Sequence, residues 1–210
     1  IQDDKFLKDV IKVVTPVVYL SGIAGNYFAD TSKTFIANGV VPSEHNKMQQ
    51  WDSHHLGMAV PSLPLIDDNT EQGVVGLGMA RMLNLCESLN TPECNDRPMA
   101  ATEEAVDVDI LDLQSLVEEE KVEGQDDNEN IHIDLLASTG SGAPNVVSLS
   151  IVKAQQQGSK VLDDSFVAMH LRQAQRLVFA DESRVSAIIV QLKDTGEMEE
   201  TQARLEAVLG

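Results

Sequence analysis

The chain has 210 residues, 42% of them hydrophobic; this suits one large domain or two small ones around a buried core and excludes wholesale disorder. Acids outnumber bases 34 to 15, a formal charge of −19, and a surface that negative repels phosphate backbones and anionic lipid headgroups, so nucleic-acid binding is excluded as a first reading. No run approaches the roughly 18 consecutive apolar residues of a membrane span. Ile1-Gln2-Asp3-Asp4 lacks the basic start and apolar stretch of a signal peptide, and both chain ends are expected to be cut edges of something longer.

Residues 3–14 are expected to form an amphipathic helix with Phe6, Leu7, Val10, Ile11 and Val14 on one face, stopped at Thr15-Pro16. Pro16 to Ser21 reads as an extended run that Gly22 and Gly25 break or bulge, and Thr34 to Gly39 as a second strand ending at Val41-Pro42. Ser43 is expected to cap a short helix through Gln50. Residues 54–66 read as loop, with Leu63 to Ile66 a short strand. Gly76-Leu77-Gly78 opens a helix that carries Met79, Met82, Leu83, Leu85 and Cys86.

The composition then changes. Between Thr102 and Asp134 there are thirteen acids and one base, Lys121, which is −12 of the total −19. Val106 to Leu113 alternates as a strand within this run. The charge reads as a solvated face with a mobile hairpin tip, because no Asp-x-Asp-x-Asp-Gly calcium loop is present. Ile131 to Leu136 and Asn145 to Val152 read as a hairpin turning over Gly140 to Pro144. Asp163-Asp164-Ser165 looks like a helix start, with Val167, Leu171, Ala174 and Val178 along one stripe to Phe179. Arg184 to Lys193, apolar on both faces, reads as an inner strand, and Glu197 to Leu209 as a closing helix.

Few residues invite chemistry. Gly73-Val-Val-Gly-Leu-Gly78 resembles a dinucleotide fingerprint in the wrong order, and Arg81 stands where the third glycine belongs. No Walker A sequence occurs. His45, His54 and His55 cluster near Asp52, but adjacent histidines on an extended segment point to opposite sides and cannot easily share an ion. Ser21, Ser32 and Ser43 lack a nucleophile elbow. His132 and His170 fall on a strand and a helix, and the pairs Asp67-Asp68 and Asp163-Asp164 suit turns and caps. The expectation is a protein with no catalytic residues, no metal and no cofactor. Cys86 and Cys94 leave two readings open. A bridge over so short a loop would contribute about 2–3 kcal/mol and imply an oxidising compartment; reduced thiols, Cys86 packed in the core, would imply a cytosol.

As a constellation, the opening helix running into Val13-Val-Thr-Pro-Val-Val-Tyr-Leu-Ser-Gly-Ile-Ala-Gly25, the strand Thr34 to Gly39, the glycine-opened helix Gly76 to Leu85 and the stretch Asp163 to Val178 before the final strand resemble the periplasmic core domain of MacB-type and FtsX-like ABC transporter permeases. The resemblance implies an α+β fold of two lobes. One is a porter-like α/β lobe built from both chain ends (1–25 and 158–210); the other is a small, mixed, β-rich lobe inserted between them (26–157). It also implies an inner-membrane protein whose domain faces the periplasm, which fits a Cys86–Cys94 bridge. Its partners would be its own transmembrane helices, an ATP-binding subunit or domain, a second permease copy, and a periplasmic adaptor or lipoprotein cargo. The acidic segment Glu103 to Glu129 has no counterpart in that pattern. A free periplasmic ligand- or lipoprotein-binding module is the alternative; hydrophobic spans flanking Ile1 and Gly210 in the full-length product would decide between them.

Overall fold

A computed structural model describes residues 4–50, 61–91, 94, 131–180 and 182–209. The fold is α+β: six helices and a mixed seven-stranded sheet among these residues. The opening helix α1 covers only Lys5–Val10, with Asp4 capping it through a bond from the Leu7 amide. The expected helix to residue 14 is corrected: Ile11 already begins β1, Ile11–Asn26, because Ile11, Val13, Val14 and Val17 are β-branched and pair with a strand from the far end of the chain.

β1 passes unbroken through both glycines that were expected to interrupt it. Gly22 instead permits a close approach, since a Cβ there would land on the Leu136 carbonyl. β2, Thr31–Val40, pairs antiparallel with the second half of β1. α2, Pro42–Gln49, starts after Val41 with Pro42 in its first turn; Ser43 is not its cap, and its amide donates to Asp67 Oδ1 instead. Residues 61–66 form no strand, yet Leu63 and Leu65 are buried. β3, Gln72–Gly76, precedes α3, Leu77–Met82; it is a strand where the sequence pattern predicts only a glycine-rich turn, because two of its five residues are glycine. β4, His132–Ser138, and β5, Pro144–Gln155, form the expected hairpin. The strand expected over Val106 to Leu113 lies outside the described residues.

The stretch from Asp163 is also corrected. A single turn, α4 (Lys160–Asp163), gives way to β6, Phe166–His170, and only then to α5, Leu171–Phe179. Val167 is therefore a core strand residue and not the start of a helical stripe. β7, Ala187–Leu192, pairs with β1 alone among the described residues, so it is an edge strand and not an inner one. It looks apolar on both sides because Ala187 and Ile189 pack on the core while Val190 and Leu192 face α6, Met198–Leu209.

Six of the strands close a ring in the order β1-β2-β6-β3-β5-β4 and back to β1. Its interior carries the alternating residues Phe35, Ala37, Ile133, Leu135, Ala137, Val147, Leu149 and Ile151, continuous with α3 and α5 through Ala80, Leu83, Ala174 and Leu177. β3 and β6 are buried on both faces, Val74 and Ala168 lying under Leu63 and Leu65. The ring has an internal pseudo-twofold. A hairpin, a strand and a helix (β1, β2, β3, α3) recur as β4, β5, β6 and α5. Each half lends its third strand to the parallel edge of the other's hairpin, β2 to β6 and β5 to β3. The halves share Leu77-x-x-Ala80-x-x-Leu83 and Leu171-x-x-Ala174-x-x-Leu177, a seven-residue echo that marks where each helix meets the core.

β6 and α5, which the sequence division at 157/158 places in the terminal lobe, are built into this ring. Outside it stand α1, the first half of β1, β7 and α6, and among the described residues β1 is the one strand that runs from these elements into the ring.

Candidate functional site

Three surfaces gather the exposed or unpaired groups. The first is the outer face of β1, β2, β4 and β5. Because side chains alternate along a strand, burying Ala24, Phe35, Leu135 and Val147 turns Tyr19, Ile23, Ile36, Leu136 and Val146 outward. Ile23 stands directly opposite Leu136, and Leu136 opposite Val146, so three exposed apolar residues form one cross-strand row. Asp134 on this face accepts from the Ser148 hydroxyl.

The β1–β2 turn closes one end of that face with an aromatic tip. Tyr27 is 86% and Phe28 90% exposed, ring centroids 6.0 Å apart in an edge-to-face pair. The turn beneath them is anchored. Asn26 is buried, donates to the Leu83 carbonyl at 2.8 Å and accepts from the Phe28 amide at 3.2 Å, while Asp30 takes the left-handed conformation that completes the turn. Further along β1 the strands part to leave a cleft of ≈ 580 Å³, lined by Tyr19, Ser21, Gly22 and Leu136 and floored by Val178 and Phe179. Arg184 sits over the Phe179 ring, 5.4 Å from its centroid.

The second surface is an apolar groove of ≈ 570 Å³ between β7 and α6, lined by Val190, Leu192, Met198 and Leu205 with Glu206 at its rim. The third is a cavity of ≈ 50 Å³ beside α2, lined by His45, Gln49 and Gln155, with room for a few waters. The side-chain carbonyls of Gln49 and Gln155 are buried there without a partner among the described residues, and burial pushes the His45 titration down.

Of the residues singled out in the sequence, the structure brings Ser43, Asp67 and His170 together and leaves the other described ones apart. His132 is exposed on β4. His170 ends β6 and caps α5, its Nδ1 accepting from the Arg172 amide at 3.1 Å; burial is the main cause of its lowered titration, opposed by the nearby Asp67 carboxylate. The Asp67 carboxyl is held below its ordinary value chiefly by hydrogen bonds from Ser43. Asp163 is buried and accepts from the Gln157 amide at 2.6 Å, and Asp164 pairs with Lys160 at 2.8 Å. Gly76 and Gly78 are where α4 packs: a Cβ at either would strike Asp163 or Asp164. That contact, not a pyrophosphate, accounts for the glycines. Cys86 and Cys94 are joined as a buried disulfide, Cα atoms 5.6 Å apart, and Arg81 Nε donates to the Cys94 carbonyl at 2.5 Å. Asp52, His54, His55 and the acidic segment lie outside the described residues. Among the described residues no three His, Cys, Asp or Glu side chains converge to hold a metal ion.

No family model matches the chain, and no curated protein matches it. Among solved structures it is similar to the extracellular domain of the noncanonic ABC-type transporter YknZ from Gram-positive bacteria. Identity is 11%, over 91% of this chain and 70% of that one, with a TM-score of 0.48.

The outer face was missed in the sequence because Tyr19, Ile23, Leu136 and Val146 look like ordinary strand residues until registry shows which side they share. The aromatic tip left a signal, Tyr27-Phe28 followed by Ala-Asp between two strands, since an uninterrupted aromatic pair in a four-residue turn has no core to enter.

Proposed function

We propose that this chain is the extracytoplasmic domain of an ABC transporter permease of the MacB/FtsX-like type, on an inner-membrane protein and facing the periplasm. In this role it carries no catalytic step. It couples movement of membrane helices, driven by ATP hydrolysis on another subunit or domain, to export or lipoprotein release. One observation supports the reading above others. The first and last described helices lie together: Arg204 on α6 stacks on Phe6 of α1 at 4.3 Å and approaches Asp4 Oδ2 at 3.5 Å, and Lys193 Nζ donates to the Asp9 carbonyl at 2.6 Å. β1 continues from that junction into the ring without a break. A displacement applied at α1 and α6 would therefore move the ring as one body, because a hydrogen-bonded strand transmits strain with little give. Among the described residues no helix is long and apolar enough to cross a membrane. The disulfide accords with an oxidising compartment.

The test uses the full-length protein with its ATP-binding partner in membranes. Arg204→Gln together with a three-glycine insertion after Val10 is expected to uncouple the junction, abolishing transport while ATP hydrolysis persists. Transport unchanged in this variant would refute the lever, and a full-length product found only in the soluble fraction would refute the permease assignment itself.

A further inference from the structure

We propose that the free edge of β7, with the apolar groove between β7 and α6 beside it, takes up an extended peptide of another protein as an added strand, one in which apolar residues alternate with lysine or arginine. This rests on the surface alone and does not depend on the permease reading.

The strand is an open template. β7 pairs with β1 alone among the described residues, so the amides and carbonyls along its other edge have no strand partner there. Edge strands are ordinarily guarded by a charge or a proline, because a bare edge invites a further strand. Ala187-Ile-Ile-Val-Gln-Leu192 carries neither. Its alternate residues Ile188, Val190 and Leu192 share one face. Val190 and Leu192 form one wall of the ≈ 570 Å³ groove, and Ile188, 55% exposed, extends the apolar row beyond it. A groove between an edge strand and a helix is a geometry by which sheets bind extended peptides: the strand supplies main-chain bonds and the groove takes every second side chain.

The opposite wall is one face of α6, with Met198, Thr201, Leu205 and Glu206 at helical spacing. Met198 is 60% exposed, so the fold leaves this apolar stripe open. Thr201 is 2% exposed, and its hydroxyl has no partner among the described residues. Buried polar groups are almost always bonded, and a polar group entering the groove can supply the missing bond.

Charge chooses the occupant. Residues 187–209 hold five acids, Asp194, Glu197, Glu199, Glu200 and Glu206, against two bases, Lys193 and Arg204. Arg204 is directed to Glu200, Asp4 and the Phe6 ring, and Lys193 Nζ to the Asp9 carbonyl. Glu206 at the groove rim accepts from the Gln202 side-chain amide at 2.9 Å, a neutral donor that leaves its charge unbalanced. A strand bearing basic residues meets that carboxylate with opposite charge. Two copies of this chain joined edge to edge at β7 would instead bring their acidic helices together, and anionic lipid would be repelled in the same way.

Fluorescence anisotropy with the 210-residue chain tests this using two labelled probes, Lys-Val-Lys-Val-Lys-Val and Arg-Leu-Arg-Leu-Arg-Leu. Saturable binding with a Kd below about 1 mM is expected. The block peptide Lys-Lys-Lys-Val-Val-Val has the same charge without the alternation, and the alternating peptide N-methylated throughout has lost its backbone donors. Each should bind about tenfold more weakly or worse. Glu206→Lys should weaken the alternating probes by about fivefold at about 0.1 M salt, while Glu87→Lys, the same change of charge on the loop after α3, leaves affinity within about twofold. Amide NMR shifts on adding peptide should centre on residues 188–192 and 201–206. Absence of saturable binding by both probes up to about 1 mM overturns the proposal, as does equal affinity for the alternating and block peptides, or shifts centred elsewhere. It is also overturned if the β7 amide signals change with chain concentration alone, which would place a second copy at the edge, or if phosphatidylcholine vesicles broaden the same signals, which would place lipid in the groove. None of these results would touch the lever reading.

Discussion

Ring closure depends on one missing side chain. At Gly22 a Cβ would sit on the Leu136 carbonyl oxygen and 2.9 Å from Phe35 Cε1, so the β1–β4 seam must open to admit it. Gly22→Ala is therefore expected to lose the Ile23–Leu136, Ala24–Leu135 and Gly25–Asp134 pairing. Overpacking costs about 1–3 kcal/mol, and two forfeited ladder hydrogen bonds about 1 kcal/mol each, giving a loss of about 3–5 kcal/mol. That is a large share of the roughly 5–15 kcal/mol by which domains are stable. Gly25, three residues on in the same strand, is the internal control. Its nearest neighbour to a new Cβ is the Thr31 carbonyl at 3.8 Å, an ordinary contact, so Gly25→Ala should be neutral or gain up to about 1 kcal/mol from reduced unfolded-state entropy. Urea titration supplies the free energies, and hydrogen exchange at the amides of residues 22–25 and 133–136 shows whether the seam has opened. Equal stabilities for the two variants, or a Gly22→Ala loss under about 1 kcal/mol, would refute the claim that this contact closes the ring.

Two further outcomes are expected. Replacing Cys86 and Cys94 together by alanine should cost about 2–3 kcal/mol, the entropy released by opening a nine-residue loop, which lowers the melting temperature by about 5–10 °C in a chain of this size; calorimetry that finds under about 1 kcal/mol would contradict it. Burial holds the titrations of His45 and His170 below the ordinary histidine value of 6.5, so the unfolded chain binds more protons in that range. The stability they contribute is fully present above about pH 6.5 and is lost as pH falls through their folded values. His45→Gln with His170→Asn, asparagine keeping an acceptor at the α5 cap, should flatten the decline in stability between about pH 7 and pH 5.5. A slope identical to that of the parent chain would show that other groups set it.

The element types were legible wherever a strong period met a plain stop. The β4–β5 hairpin read correctly because alternation ran clean on both sides of a Gly-Ser-Gly turn, and α6 because no glycine or proline interrupts it. Reading failed where apolar residues suit two periods. Ile11 and Val14 fit a helical face as well as a strand, and only the distant partner Val190 decides for the strand. Phe166 to His170 failed the same way, since Val167 and Leu171 sit four apart, and the parallel partner β2 overrides that spacing. The glycines at 22, 76 and 78 carry no local signal distinguishing a breaker from a close approach, because what they make room for lies eighty residues or more away.

Composition and local pattern by themselves determined an acidic α+β chain with a feasible core, no nucleotide loop and an ambiguous cysteine pair. Only the tertiary structure decided that six strands close a ring with an internal twofold, that β1 joins the ring to the α1–α6 junction, and that the apolar residues left outside fall on one face beside an aromatic tip. The reason is physical. Secondary structure follows from interactions a few residues long, whereas ring closure and shared faces follow from pairings such as Ile23 with Leu136, which exist only once the chain has folded.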